Sequence, residues 1–372
     1  MIYIEIGIIT ILGLLFEHSS NDSISLQRKR SIYIVVCIAL LWLMAALRNI
    51  YWVYSLHLDA LNYSYMLSYN RTRSFADIFS SFIQRYVYRV GDTDIGYYLL
   101  NKIVGIFVED YNIFSLIIDA IFFVPFGLLL YKYTTRIRQL MFAFIFYIAL
   151  IQIHMLSGAR QMFAIGLDIA AVMLAIDKKR VKAIILLLIG ATLHLSSLIM
   201  IAPILLIFFD IKSSYLKRIH AICLLLFPVI LVFPNHIIVI LAKIIGSEKY
   251  GGYGAGAIQG GATTFIVLIE MLSVFCYFAL DLHLLESNPI AQKLYTMLPF
   301  ITIFGPLIHS SGSMIRICLY FYIYLVLLIP YGFDRLFSKN SQGLAYAILI
   351  VSLIYLIVRG GTMDYHFMWQ PI

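Results

Sequence analysis

The chain is a succession of apolar runs separated by short stretches that hold most of its charge. The runs fall near 2–16, 32–47, 113–131, 139–156, 161–176, 219–242, 264–281, 294–309, 315–331 and 344–358. A bilayer's hydrocarbon core asks for about 20 apolar residues in a helix. Backbone amides in hydrocarbon find no water, so each run has to satisfy its own amides as a helix. The alternating pattern of a membrane β-barrel is absent. Only 12% of the 372 residues are charged and 62% are hydrophobic, against about 25% charged in an ordinary soluble domain. With a mean hydropathy of +0.93, a water-soluble globule is excluded. The expected fold class is all-α, a polytopic integral membrane protein of about 10–12 transmembrane or re-entrant helices with amphipathic helices on the outer face. It reads as a single membrane domain over 1–372.

Net charge is +8, from 27 Lys and Arg against 19 Asp and Glu. The basic residues sit in short runs between apolar segments, which is how membrane topology is written, and no nucleic-acid partner is expected. Cys37, Cys223, Cys276 and Cys318 all lie inside apolar runs and read as small buried hydrophobes. Residues 2–16 carry Glu5 in place of a basic leader and no cleavage motif follows, so this run is expected to be a retained helix.

The basic clusters are Arg28-Lys29-Arg30, Lys132/Arg136/Arg138, Lys178-Lys179-Arg180-Lys182, Lys212/Lys217/Arg218 and Arg335/Lys339. All five fit on the cytoplasmic side if two stretches do not span. One is Gly96–Phe107, too short to cross at 1.5 Å per residue. The other is Ala183–Phe209, interrupted by His194-Leu195-Ser196-Ser197 and read as a broken or re-entrant helix. A single tilted helix is the alternative and moves later loops to the other side. The broken form puts both termini, residues 48–95, the turn Ser157–Gln161 and the Gly-rich loop 246–261 outside. The segment 48–95 is expected to be extracytoplasmic, with Phe75, Ile78, Phe79, Phe82, Ile83 and Tyr86 at amphipathic-helix spacing on the membrane surface. The loop 246–261 lacks the arrangement of a P-loop.

Polar groups inside membrane segments are costly and tend to mark function. His194 can act as base or donor, or be a histidine satisfied by a neighbouring carbonyl. Arg160 and Gln161 open a helix after Ser157-Gly158-Ala159, where amides and a guanidinium make an anion pocket. Arg316 follows the small polar turn His309–Ser313 in the same way. For both arginines the alternative is snorkelling to the headgroups. Arg48, Asp59 and Tyr63, with Asp94 and Tyr97, form a further group. Asp59 and Tyr63 share a helix face and suit sugar hydroxyls or acid–base work; the bland reading is a solvated helix. Asp119 and Asp168 lie within apolar runs, need partners, and are expected to be structurally paired, with the arginines as candidates. Asp92-Thr93-Asp94 matches a DxD pattern only weakly, and no metal site is expected.

These pieces, in this order, resemble the polysaccharide polymerases of the EpsG/Wzy type found in bacterial exopolysaccharide, capsule and O-antigen clusters. The matching residues are Arg48, Asp59 and Tyr63; Asp94-x-Gly96-Tyr97 before Leu99-Leu100-Asn101-Lys102; and Asn112-x-Phe114-Ser115. They continue with Arg160-Gln161, Ala191-x-x-His194-x-Ser196, and Arg316 with Tyr320 and Phe321. The resemblance implies a metal-independent glycosyltransferase without cofactor, multi-pass in the bacterial cytoplasmic (inner) membrane, with its active site facing outward. Its donor would be a growing glycan on undecaprenyl diphosphate, moved onto a hydroxyl of the next lipid-linked oligosaccharide unit. The implied partners are that lipid-linked oligosaccharide, the bilayer, and the flippase and chain-length regulator of the same pathway. Such a leaving group gathers negative charge, which arginines and helix ends have to offset. Arg160 and Arg316, with Arg48, are assigned to it, Gln161, Tyr63 and Tyr97 to substrate binding, and the base is His194, Asp59 or Asp94. A lipid-linked oligosaccharide flippase or transporter and an O-antigen-ligase-like glycosyltransferase are the alternatives.

Overall fold

The computed structural model describes residues 2–18, 23–51, 58–88, 90–91, 94–245, 263–359 and 365–370. The Gly-rich loop 246–261, Arg89 and Asp92 lie outside the described residues. Every regular element described is helical; among the described residues one isolated β-bridge pairs Arg48 with Phe367. The protein is therefore an all-α polytopic membrane protein. Among the described residues five helices are long and apolar enough to cross a bilayer: 25–46, 111–133, 159–176, 213–232 and 341–358. The bent pair 312–322 and 325–336 makes a sixth if it is one span. Several of the remaining apolar runs are divided among shorter helices that meet at breaks.

Two compact units emerge. Unit one comprises residues 1–201 and 346–372, and unit two residues 202–345. Unit one contains α1 (Ile2–His18), α2 (Ser23–Ala46), α3 (Leu58–Thr72), α4 (Phe75–Tyr86), α5 (Ile95–Gly105), α6 (Tyr111–Ile118) and α7 (Ala120–Tyr133). It continues with α8 (Ile137–Leu150), α9 (Gln152–Ser157), α10 (Ala159–Ile176), α11 (Arg180–Leu193) and a 3-10 turn, Leu195–Met200.

α10 is the hub, packed between α7 and α11. Gly166 makes the α7 crossing possible: a Cβ there would overlap the Ile121 carbonyl and come within 2.6 Å of Phe122 Cα. Small residues that let helix backbones meet are the usual device in membrane bundles. Lys178, at φ 62°, turns the chain from α10 into α11 in the left-handed region that non-glycine residues seldom adopt. Asp110 caps α6 by accepting from the amides of Asn112 (2.8 Å) and Ile113 (3.0 Å). Ser74 and Asp77 form a capping box on α4.

The first three basic clusters collect at one end of unit one. Arg30 donates to the carbonyls of Tyr131 and Thr134, Lys132 pairs with Asp177 at 2.5 Å, and Arg138 with Glu17 at 3.5 Å. Arg160 stands at the opposite end of α10, about 26 Å from Asp177 at the helical rise. A hydrocarbon layer is about 30 Å thick.

The stretch expected to be either broken or one tilted helix is broken. His194 is extended (φ −155°, ψ 114°), and the chain turns so that Ser197 lies beside Gly190. The amphipathic helix expected from Phe75 to Tyr86 forms as α4, but of its apolar positions Ile78 alone is buried. In the last part of unit one, Asn49 N–H donates to His366 O (2.7 Å) and Met368 N–H to Leu47 O (2.8 Å).

Unit two contains most of α12 (Ile201–Phe208), then α13 (Ser213–Val232), α14 (Pro234–Ile245), α15 (Thr263–Ala279), α16 (Leu282–Ser287), α17 (Pro289–Tyr295) and α18 (Leu298–Phe304). It ends with α19 (Ile315–Tyr322), α20 (Leu325–Leu336) and the start of α21 (Lys339–Arg359). α13 and α15 pack on α18, and α15 on α20. Asp281 caps α16 at Leu284 N–H (2.8 Å) and also pairs with Arg335 (2.7 Å).

Replacing Gly166 by alanine should lower stability by about 1–3 kcal/mol through overpacking at the α7 crossing. The thermal midpoint in detergent reads this. Gly7→Ala, where nothing lies within 4 Å of the new Cβ, should stay within about 1 kcal/mol of wild type.

Candidate functional site

The site is built around one carboxylate. Asp94 precedes α5 in the N-cap position, yet its side chain makes no cap hydrogen bond. It reaches instead to groups from two remote segments. Arg160 Nη1 lies 2.8 Å from Asp94 Oδ2, His194 Nδ1 lies 3.2 Å from the same oxygen, and the Leu195 amide donates to Oδ1 at 3.4 Å. Only 4% of the Asp94 side chain is exposed, against 25% for Arg160 and 18% for His194. An ionised carboxylate so enclosed needs charged and hydrogen-bonding partners, and the three donors supply them.

Local sequence explains how the three segments meet. Gly96 stands two positions after the carboxylate, and a Cβ there would overlap the Thr192 side chain, so α5 can approach α11 only with glycine at this position. Gly158 ends α9, and Arg160 stands in the first turn of α10. His194 ends α11 because its extended backbone stops the helix. The break is anchored from below: Ser197 Oγ lies 2.8 Å from both carboxylate oxygens of Asp168, at the middle of α10, and both residues are buried.

Aromatic rings cover the cluster. The Arg160 guanidinium carbon sits 5.7 Å from the Tyr63 ring centroid, within cation–π range. Tyr63 meets Tyr97 edge-on at 5.7 Å, and Tyr97 stacks on Phe163 at 6.3 Å. Arg160 Nε and the Tyr97 hydroxyl are buried and find no partner among the described residues. Donors left over in an enclosed site are the groups a polar ligand can engage.

Six of the nine candidate residues therefore assemble. Asp94, Arg160, His194, Tyr63 and Tyr97 touch one another, and Gln161 lies buried beside Arg160 on the first turn of α10. Asp59 is half-buried in the first turn of α3, one turn before Tyr63. Arg48 is buried, and its guanidinium donates to the carbonyls of Ala45 (2.6 Å) and Leu156 (3.3 Å). It thus ties the end of α2 to the end of α9, just ahead of Arg160. Arg316 is half-buried in the first turn of α19 and belongs to unit two.

Each of the two buried aspartates has a partner, and in both cases the hydrogen bond comes from a serine. Asp168 is held by the Ser197 hydroxyl. Asp119 accepts from Ser115 Oγ at 2.7 Å, with Arg48 as a charged neighbour. One polar knot went unread in the sequence. In unit two, His220 bonds Tyr295 Oη (2.8 Å) and Ser273 Oγ (3.0 Å), and Ser273 bonds Thr302 Oγ1 (2.8 Å), all buried. A histidine inside the apolar α13 was the signal for it.

Fold and cluster together define a multi-pass helical membrane protein that gathers a carboxylate, a guanidinium and an imidazole where its helices break. The chain belongs to the EpsG family, whose model matches residues 31–369. Membership makes it a glycosyltransferase-like polymerase of the polysaccharide-building kind. No curated protein and no solved structure matches the chain.

Asp168→Ala leaves the Ser197 hydroxyl orphaned and should cost about 1–3 kcal/mol. Asp168→Asn, which keeps an acceptor in place, should lose less than half as much. Thermal midpoints of the two purified variants make the comparison.

Proposed function

We propose that the protein polymerises lipid-linked repeat units at the outer face of the bacterial cytoplasmic membrane. The growing glycan leaves undecaprenyl diphosphate for a sugar hydroxyl of the next lipid-linked unit. The observation that carries this reading is the convergence of Asp94, Arg160 and His194 from three separate segments onto one enclosed point.

In the proposed step the bond from the anomeric carbon to the diphosphate oxygen breaks, and its electron pair leaves with the diphosphate. A new bond forms from that carbon to the acceptor oxygen, whose proton passes to His194. Asp94 faces Nδ1, which favours the tautomer with a proton there and leaves Nε2 as the basic nitrogen. Asp94 is then the orienting carboxylate, and this narrows the choice of base to His194. Arg160 has donors beyond the one given to Asp94, and a guanidinium suits phosphate oxygens through paired hydrogen bonds. Asp94 and Arg160 cancel in charge, so no uncompensated ion has to be buried before substrate arrives. Arg48 supports the site from behind by fixing the turn before α10.

Sidedness follows from charge. The end of unit one that holds Arg30, Lys132 and Arg138 reads as cytoplasmic by the excess of basic residues there. The cluster at the far end of α10 then faces outward. The exposed aromatic stripe of α4 is placed in the membrane interface, where such rings settle.

Arg160→Ala and His194→Ala should each abolish polymer, a loss of at least about 100-fold for a group acting in the transition state. Protein level and membrane insertion should persist, and single repeat units on lipid should accumulate at the outer face. Normal chain length in either variant overturns the assignment. Units trapped inside would point to a flippase, and polymer made but left unattached to its final acceptor would point to a ligase. Separately, a cysteine at Ser157 should react with a membrane-impermeant maleimide from outside; labelling from the cytoplasm alone refutes the orientation.

A further inference from the structure

α4 turns phenylalanines outward and lends two polar side chains to a cavity. Phe75, Phe79 and Phe82 are 51%, 64% and 40% exposed, while Ser81 and Gln84 of the same helix line a cavity. Ser81 and Gln84 are three apart and share a helix face. The exposed phenylalanines suit lipid, while Ser81 and Gln84 offer polar contacts to an occupant of the cavity. The cavity lies between α3, α4 and α5 and measures about 380 Å³, near the lower end of the roughly 300–1,000 Å³ of ligand pockets. Its walls are mostly polar.

We infer that this cavity is a saccharide subsite seating one sugar residue of the acceptor glycan, a reading that rests on the polymerase assignment above. Arg73 is its fixed centre. The guanidinium donates to Ser81 Oγ (2.7 Å), the Asp77 carbonyl (3.1 Å) and Asn70 Oδ1 (3.4 Å). Its carbon lies 5.7 Å from the Tyr69 ring centroid and 6.0 Å from that of Tyr98. These three bonds leave part of the five-donor fork unspent, held at a set angle between two rings. Asn70 is buried, and Gln84 brings an amide with both donor and acceptor. A sugar ring presents C–H faces to aromatic rings and neighbouring hydroxyls to amides and guanidinium, and this wall offers both kinds of contact. The cavity also touches Ile95, the residue bonded to Asp94. A sugar seated there sits next to the segment that orients His194, as an acceptor has to.

The test uses the full chain in detergent and the free repeat-unit oligosaccharide cut from the organism's own polymer. Saturation-transfer NMR should detect binding to wild type. Tyr69→Ala and Gln84→Ala, both changes at exposed side chains, should weaken it at least about tenfold, or 1.4 kcal/mol. Tyr69→Phe, which keeps the ring, should bind as wild type does. Arg160→Ala should also bind the free glycan normally, because that glycan carries no diphosphate. No binding to wild type, or equal binding to Tyr69→Ala and Gln84→Ala, overturns the subsite. Polymer formation is scored separately in Arg160→Ala. Loss of polymer there together with unaltered glycan binding in the cavity variants leaves the polymerase reading standing and removes the subsite alone.

Discussion

A carboxylate enclosed within a membrane bundle has to be met by cations and hydrogen-bond donors, and the position of Asp94 sets that demand on the rest of unit one. Desolvating an ion costs several kcal/mol unless partners answer it. Asp94 obtains them from the first turn of α10 and from the end of α11. For both to arrive, α10 must reverse into α11 within a few residues, which Lys178 allows. α11 must also press against α5, which Gly96 allows. The break at His194 then has to be held in place, and the buried Asp168–Ser197 pair holds it. Each of these features looks local, yet each serves the same meeting point.

The electrostatics suit a reaction that creates charge. Before substrate binds, Asp94 and Arg160 balance each other. In the proposed step a proton moves onto His194 as negative charge gathers on the departing diphosphate. The new imidazolium then lies against Asp94, and the guanidinium is released to face the anion. A preorganised arrangement of this kind needs little rearrangement as charge develops.

Much of this was legible in the sequence because membranes punish stray polarity. Arg160 and His194 stood out as charged or titratable groups among apolar neighbours, and His194-x-Ser196-Ser197 marked the place where a helix stops. The amphipathic phasing of Phe75 to Tyr86 announced α4. What the sequence did not carry was partnership. Nothing near Asp168 points to Ser197, twenty-nine positions away, so the sequence shows that a partner is needed but not that it is a hydroxyl. Arg48 stood out as a cation, but nothing beside it told that two of its nitrogens would be given to two helix ends. The phasing of α4 told which residues share a face but not which face turns inward; exposed phenylalanines settle that in three dimensions. Some breaks also escaped, since one such as that at Ile151 between α8 and α9 leaves composition unchanged.

The antiparallel bridge of Arg48 to Phe367 has a consequence for biosynthesis. Tyr365 Oη donates to Met44 O and Asn49 Nδ2 to Gln370 O, each across 321 positions of chain. Unit one is thus begun first, interrupted by the whole of unit two, and sealed by residues that follow unit two in the chain. Its helices can enter the bilayer one at a time, but the strand-like clasp behind Arg48 cannot close until unit two has been made. Long-range closure of this sort delays assembly, so the turn just ahead of Arg160 gains its full backing only after unit two has been threaded.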